Sequence, residues 1–342
     1  MEWLEAHVAQ IWFLIIGFFV LYYAVADGLG LGVGVISLLS RDEAQRDLMM
    51  ASLQSNWQDN QTWLVLLGGM LFGAFPLFYS VALSAFYVPI TIMLFGLIFR
   101  GLAFEFRGQS ERPSRWSLSF GLGSLVTALC QGFTLGGIFY GIPMDGQTFT
   151  GTVWSWFHPY SIVFTLGVVS GYVMLGANYL ILKTDGEIQR TSMRVSSVAA
   201  YSTLVVSIVI YIWTVARHPY MARKWTAMPE LFYVAVFPSL ALAAFALYLR
   251  SLGRSDTAPF RWNVILVFCS FTGISVGFYP YIIPNMVTIQ NAAVSSPRTL
   301  IFMLAAIAIL LPVILVYTGY KRWLFRGKTT GGGYEDQGKR AG

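Results

Sequence analysis

Apolar residues run in long blocks along this chain, separated by short polar connections, and the blocks set the expected elements. A helix needs about 20 predominantly apolar residues to cross a bilayer. Blocks of that kind lie at 8–39, 61–82, 84–104, 116–141, 159–182, 195–216, 229–250, 261–284 and 299–323. The stretch from Thr62 to Phe106 is too long for one span, and Pro76 and Pro89 interrupt it. Two helices meeting in a tight turn near Ser84 are expected there, with eight spans as the alternative if one of them only half-crosses. The pattern predicts an all-α integral membrane protein of about nine transmembrane helices over residues 1–328, with 8–141 and 159–323 as first and second halves. Residues 329–342 are polar and Gly-rich, and a disordered tail is expected.

Composition points the same way. Of 342 residues, 56% are hydrophobic and 11% are charged. Soluble domains carry about 25% charged residues, so two water-exposed surfaces could not be covered. The net charge of +6 does not indicate a nucleic-acid partner, because Lys and Arg fall in short clusters between apolar blocks, as topology signals do. Arg41 and Arg46, the connection from Arg100 to Arg115, Lys183 to Arg194, Arg250 to Arg261 and the segment from Lys321 to Lys328 share one side, whereas 142–160 holds no Lys or Arg. This predicts an outside N-terminus and a cytoplasmic C-terminus. Arg217, Arg223 and Lys224 run against the rule. The first ten residues hold Glu2 and Glu5 and no basic residue, so the first block is expected to stay as a helix and not to be cleaved as a signal peptide.

Glycines recur at four-residue spacing, as in Gly28 and Gly32, Gly30 and Gly34, and Gly132 and Gly136. Small residues so placed let helices approach closely in lipid, which predicts a compact bundle and identifies no ligand.

Ionisable groups inside apolar blocks are costly and therefore informative. Asp27 interrupts the first block; a central Asp costs about 3 kcal/mol to insert. It is read as protonated, paired with an Arg, or part of a proton relay, with a helix cap as the plainer alternative. Asp59, in Asn56-Trp57-Gln58-Asp59-Asn60-Gln61, serves equally as a helix cap or as a carboxylate at the cytoplasmic mouth. Glu105 lies between Arg100 and Arg107, either as a surface ion-pair cluster or as a functional acid.

His7, His158 and His218 are expected at outer helix ends, and Cys130 and Cys269 lie far apart in apolar blocks. Neither set forms a metal cluster or a disulfide framework, so no haem or metal is expected on this chain's side chains. P-loop, dinucleotide and zinc signatures are missing from the sequence.

Several motifs occur in a telling order. They are Val25-Ala-Asp27-Gly28-Leu-Gly-Leu-Gly32, Trp57-Gln-Asp-Asn60-Gln61-Thr-Trp63, Gly68-Gly69 through Pro76, Phe99-Arg100-Gly-Leu-Ala-Phe-Glu105-Phe-Arg107, Gln131-Gly132, Lys183-Thr-Asp-Gly186, Tyr279-Pro280 and Pro284-Asn285. Together they resemble subunit II of the cytochrome bd-type quinol oxidases, over residues 8–323, and most closely the cyanide-insensitive branch. The resemblance implies two four-helix bundles plus one peripheral helix, in a heterodimer of the bacterial cytoplasmic membrane that oxidises quinol and reduces O2 to water. It implies that subunit I carries haem b, haem d and the quinol site, while this chain binds none. It also implies that Asp27, Asp59, Arg100 and Glu105 contribute to a cytoplasmic proton path. A structural quinone or lipid, and small accessory subunits, are left open. Two departures stand out. Gly30 replaces an acid common in the family, and Gln58-Asp59 shifts a carboxylate by one residue, a rotation of about 100° on a helix. Two other readings stand beside this one: a proton-coupled secondary transporter using Asp27 and Glu105, and a structural membrane scaffold.

Overall fold

The computed structural model describes residues 2–54 and 57–329, apart from the side chain of Asp59. Among these residues twelve α-helices follow one another. They are α1 (Glu2–Ser37), α2 (Glu43–Ala51), α3 (Trp57–Ala74), α4 (Pro76–Phe106), α5 (Pro113–Tyr140), α6 (Pro159–Lys183), α7 (Gly186–Arg217), α8 (Pro219–Lys224), α9 (Glu230–Ser251), α10 (Ala258–Phe278), α11 (Ile289–Ala292) and α12 (Pro297–Leu324). Two small antiparallel hairpins lie in the connections, Met144–Asp145 with Thr148–Phe149 and Tyr281–Ile283 with Val287–Thr288. The last apolar block before α12 thus ends as a helix at Phe278, and its final residues form a strand.

Among the described residues, eight helices are long and apolar enough to cross a membrane: α1, α4, α5, α6, α7, α9, α10 and α12. In lipid the backbone must satisfy its own hydrogen bonds, which a helix does within one segment. Six helices, α4, α5, α6, α8, α10 and α12, open with proline in their first turn, where the missing N–H has no partner to lose. That rule corrects the expected turn near Ser84. Pro76 starts α4, so the break falls at Phe75. Pro89 lies inside α4, and Phe86 just before it is non-helical (φ −119°, ψ 17°); the proline ring crowds the carbonyl four residues back and removes one hydrogen bond. The polar first turns of α3 (Gln58 to Thr62) dilute its apolar content. Even so, α3 begins with Trp57 stacked on Phe104 and ends with the Ala74 carbonyl accepting from Val294 N–H, 3.1 Å away.

The long N-terminal helix is central. It packs on α3, α5, α6 and α12, while α4 packs on α5, α6 on α7, and α9 on α10. Where α1 crosses α6, backbone meets backbone: a Cβ on Gly32 would lie 1.8 Å from the Tyr172 carbonyl oxygen, and one on Gly176 would lie 2.4 Å from the Gly32 carbonyl carbon. Only glycine fits there.

The connections gather at two ends. At one, Gln45 of α2 donates to Glu187 (3.1 Å), Arg107 reaches α2, and Lys328 bonds Asp185 (2.5 Å) and Asp256 (2.8 Å). Lys183 Nζ donates to the Phe325 and Gly327 carbonyls at 2.5 and 3.0 Å. At the other end, His218 between α7 and α8 donates from Nε2 to the Phe139 carbonyl (2.9 Å) and accepts at Nδ1 from Asn285 (2.9 Å). The tail expected over 329–342 lies, beyond Thr329, outside the described residues.

Candidate functional site

Asp27 is completely buried in α1, and Arg100 of α4 is 1% exposed. One Arg100 nitrogen, Nη1, donates to Asp27 Oδ1 at 2.6 Å. The other carboxylate oxygen accepts from the Tyr23 hydroxyl at 3.1 Å, one helical turn earlier. Tyr23 in turn accepts from Gln131 Nε2 (2.8 Å), and Gln131 Oε1 accepts from the Tyr172 hydroxyl (2.7 Å). Every donor in the series Tyr172, Gln131, Tyr23 points toward Asp27, the arrangement an ionised carboxylate calls for, since it can only accept. Asn60 of α3 braces the same turn by donating to the Ala26 carbonyl (2.7 Å).

Arg100 fits because two glycines make room for it, Gly30 beside the guanidinium and Gly123 beside its backbone. A Cβ on Gly30 would sit 2.4 Å from Arg100 Nη2, and one on Gly123 would sit 3.1 Å from the Arg100 backbone nitrogen. Arg100 Nε and Nη2 are buried with no hydrogen-bond partner among the described residues. Nη2 lies on the side where Gly30 carries no side chain.

Seven residues on, about 10 Å by helical rise and just past the end of α4, a second charged cluster closes this end of the bundle. Arg107 is buried; it donates to Glu43 (3.1 Å), to Asp47 and to Ser117 (3.0 Å). Ser117 also donates to Glu43, and Arg46 donates to Glu43 at 3.1 Å and to the Ser40 carbonyl at 2.7 Å. Burial pushes the Glu43 carboxyl up, but the hydrogen bonds from Ser117, Arg107 and Arg46 outweigh it and hold it below the usual carboxylate range.

Of the four residues singled out in the sequence, Asp27 and Arg100 meet. Glu105 is exposed and joins neither cluster; its neighbours Arg100 and Arg107 turn inward to other acids. The Asp59 side chain lies outside the described residues, though its neighbour Asn60 reaches the Asp27 turn. Sequence reasoning passed over Tyr23, Tyr172, Glu43 and Asp47, and took Gln131 only as part of a motif, with no role at this site. A repeated motif was available as a signal. Asp42-Glu43-Ala44-Gln45-Arg46 recurs as Asp185-Gly186-Glu187-Ile188-Gln189-Arg190, and Pro113-Ser114-Arg115-Trp116 as Pro259-Phe260-Arg261-Trp262. Both copies flank the end where the charged clusters lie.

A family model described as cytochrome bd terminal oxidase subunit II matches residues 8–325. The chain belongs to this family. It is 28% identical over 363 residues to cytochrome bd-I ubiquinol oxidase subunit 2 of Escherichia coli K12, covering 94% of each chain. It is 23% identical over 337 residues to cytochrome bd ubiquinol oxidase subunit 2 of Bacillus subtilis 168, covering 95% of this chain and 98% of the relative. Its fold matches that of the bd oxidase from Geobacillus thermodenitrificans with a TM-score of 0.77, at 20% identity, over 93% of this chain and 98% of that one. As subunit II of a terminal oxidase, this multi-pass membrane protein works in a complex with a subunit I. The Asp27–Arg100 pair therefore sits inside a respiratory enzyme's second subunit.

Proposed function

We propose that this chain binds no haem, is inactive alone, and supports a haem-bearing subunit I in oxidising quinol and reducing O2 to water. In this reading Asp27, set by Arg100, is a station on the path that brings cytoplasmic protons to oxygen reduction. Haem b and haem d belong to subunit I. The observation that carries the proposal is a fully buried carboxylate held by one guanidinium and one phenol, because such a group in a membrane span is costly without a task. Asp59 and the exposed Glu105 are assigned to proton collection at the cytoplasmic end, with an outside N-terminus. The gathering of the basic connections at the Glu43–Arg107 end supports that orientation.

The histidines support the haem-free assignment. Both ring nitrogens of His218 are engaged, both ring nitrogens of His158 contact Ser161, and His7 is exposed with Nδ1 on the Trp3 carbonyl at 2.8 Å. None offers a free nitrogen toward a bundle interior, where a haem iron would need one.

The deciding experiment is Asp27→Asn in the assembled complex. Oxygen uptake with quinol, normalised to the haem in the assembled complex recovered, is expected to fall at least tenfold. Full turnover in that variant would favour the scaffold reading, and substrate flux in liposomes without a redox partner would favour a transporter.

A further inference from the structure

The helices α6, α7, α9 and α10 enclose a cavity of about 390 Å³, with α8 at its rim. Its walls are apolar and include Phe164, Leu242, Phe245, Cys269 and Phe278. On α10 alone the lining runs from Leu266 to Phe278, about 18 Å by helical rise and more than half of a hydrocarbon core of about 30 Å. Ile208, Tyr211 and Leu242, which also line it, are exposed on the outer surface of the helices. The cavity therefore opens sideways, toward lipid. Among the described residues, two buried polar groups on its wall have no partner: the Thr203 hydroxyl and the Trp225 indole N–H at the rim. The indole can only donate, so it lacks an acceptor.

Basic residues stand close in sequence to the lining residues at this end. Arg217 follows the lining residue Thr214 by one helical turn, Arg223 precedes Trp225 by two residues, and both are exposed. Arg217 lies 4.7 Å from the centre of the Tyr140 ring. Lys224 donates to the Gly277 carbonyl (3.2 Å) and to that of Tyr279, and Glu230 is the acid beside it. These cations stand at the end opposite the Glu43–Arg107 cluster, where basic residues work against the orientation proposed above. Topology gives them no reason to be there.

We propose that this cavity takes one acyl chain of an anionic phospholipid, whose phosphate rests on Arg217 and Arg223 and accepts from the Trp225 indole. Guanidinium groups pair with phosphate oxygens in a fork geometry, and an indole at the headgroup level is the usual membrane-interface placement. A neutral isoprenoid would fill the apolar walls but leave both guanidinium groups without an anion. The binding site follows from the cavity and its charges; only the assignment to the outer leaflet rests on the proposed orientation.

The test uses the full chain assembled with its haem-bearing partner, reconstituted in vesicles of phosphatidylcholine with or without phosphatidylglycerol, then re-extracted and weighed intact by native mass spectrometry. One retained phosphatidylglycerol per complex is expected, held about tenfold more weakly in R217Q/R223Q and displaced in Ala241→Phe, which fills the cavity. Haem absorbance and subunit recovery report assembly. If Ala241→Phe fails to assemble, the exposed arginine pair decides alone. No retained anionic lipid, retention unchanged in R217Q/R223Q, or retention of a neutral isoprenoid in its place would each overturn the proposal. The readout is a mass and not a turnover number, so the proton role of Asp27 stands or falls separately.

Discussion

Arg100 and Asp27, 73 residues apart in the chain, meet at 2.6 Å with neither side chain in contact with solvent. Such a pair behaves as a unit. Each charge is tolerated inside the bundle because the other neutralises it, and removing one partner strands the other.

Asp27→Asn and Arg100→Gln should each destabilise the complex by about 3–5 kcal/mol. The double variant, which strands no charge, should recover most of that loss. Turnover should not recover with it, because no carboxylate returns. Thermal unfolding of the assembled oxidase, set beside oxygen uptake, separates the two effects. Equal penalties in the single and double variants would show that the pair is not coupled.

Gln131 links Tyr172 to Tyr23, and Gln131→Leu leaves both hydroxyls short of a buried partner. A loss of about 1–3 kcal/mol is expected. Combined with Tyr172→Phe the cost should be less than the sum, since both changes break one network. Denaturation midpoints of the four proteins in this cycle test it, and strict additivity would argue against the network.

Gly32→Ala places a methyl group 1.8 Å from a backbone carbonyl oxygen, so α1 and α6 must part. Loss of assembled complex is expected. Gly69→Ala, with open space around the new carbon, should be neutral or gain up to about 1 kcal/mol from helix propensity. Recovery of intact complex from membranes distinguishes the two positions.

The Glu43 carboxyl is depressed in the folded protein. Its contribution to stability is therefore complete above the unfolded pKa of about 4.3 and is lost as pH falls through the lower folded value. Hydrogen exchange along α2, corrected for intrinsic rates, should rise in wild type on going from pH 6 to pH 3.5. Glu43→Gln should exchange faster at pH 6 and show little further change. Identical profiles in the two proteins would remove Glu43 from the anchoring role.

Much of the fold was legible from apolar block length alone, because a bilayer imposes a minimum span and forbids open backbone. Asp27 was legible for the same reason: a charge in such a block must be compensated. Its partner was harder to identify. Arg100 lies at the end of another helix, and no local periodicity links positions so far apart. Pro76 and Pro89 look alike in sequence, yet one opens a helix and the other bends one; only the hydrogen bonds around them tell which. Glu43 and Asp47 were passed over because they fall in a short polar connection, where acids are ordinary. Glu105 drew notice through its flanking arginines, but helical rotation turns it away from both.

The hydrogen-bond series behind Asp27 passes through a side-chain amide, Gln131, on its way to Tyr172, and an amide relays protons poorly. It would have to become an imidic acid, an unfavourable form, before handing one on. Gln131 thus works as an electrical stop: it fixes the direction of the Tyr23 dipole while closing the rear of the carboxylate to traffic. On the proton path proposed above, protons reach and leave Asp27 by the Arg100 flank and not through the Tyr23–Gln131–Tyr172 series.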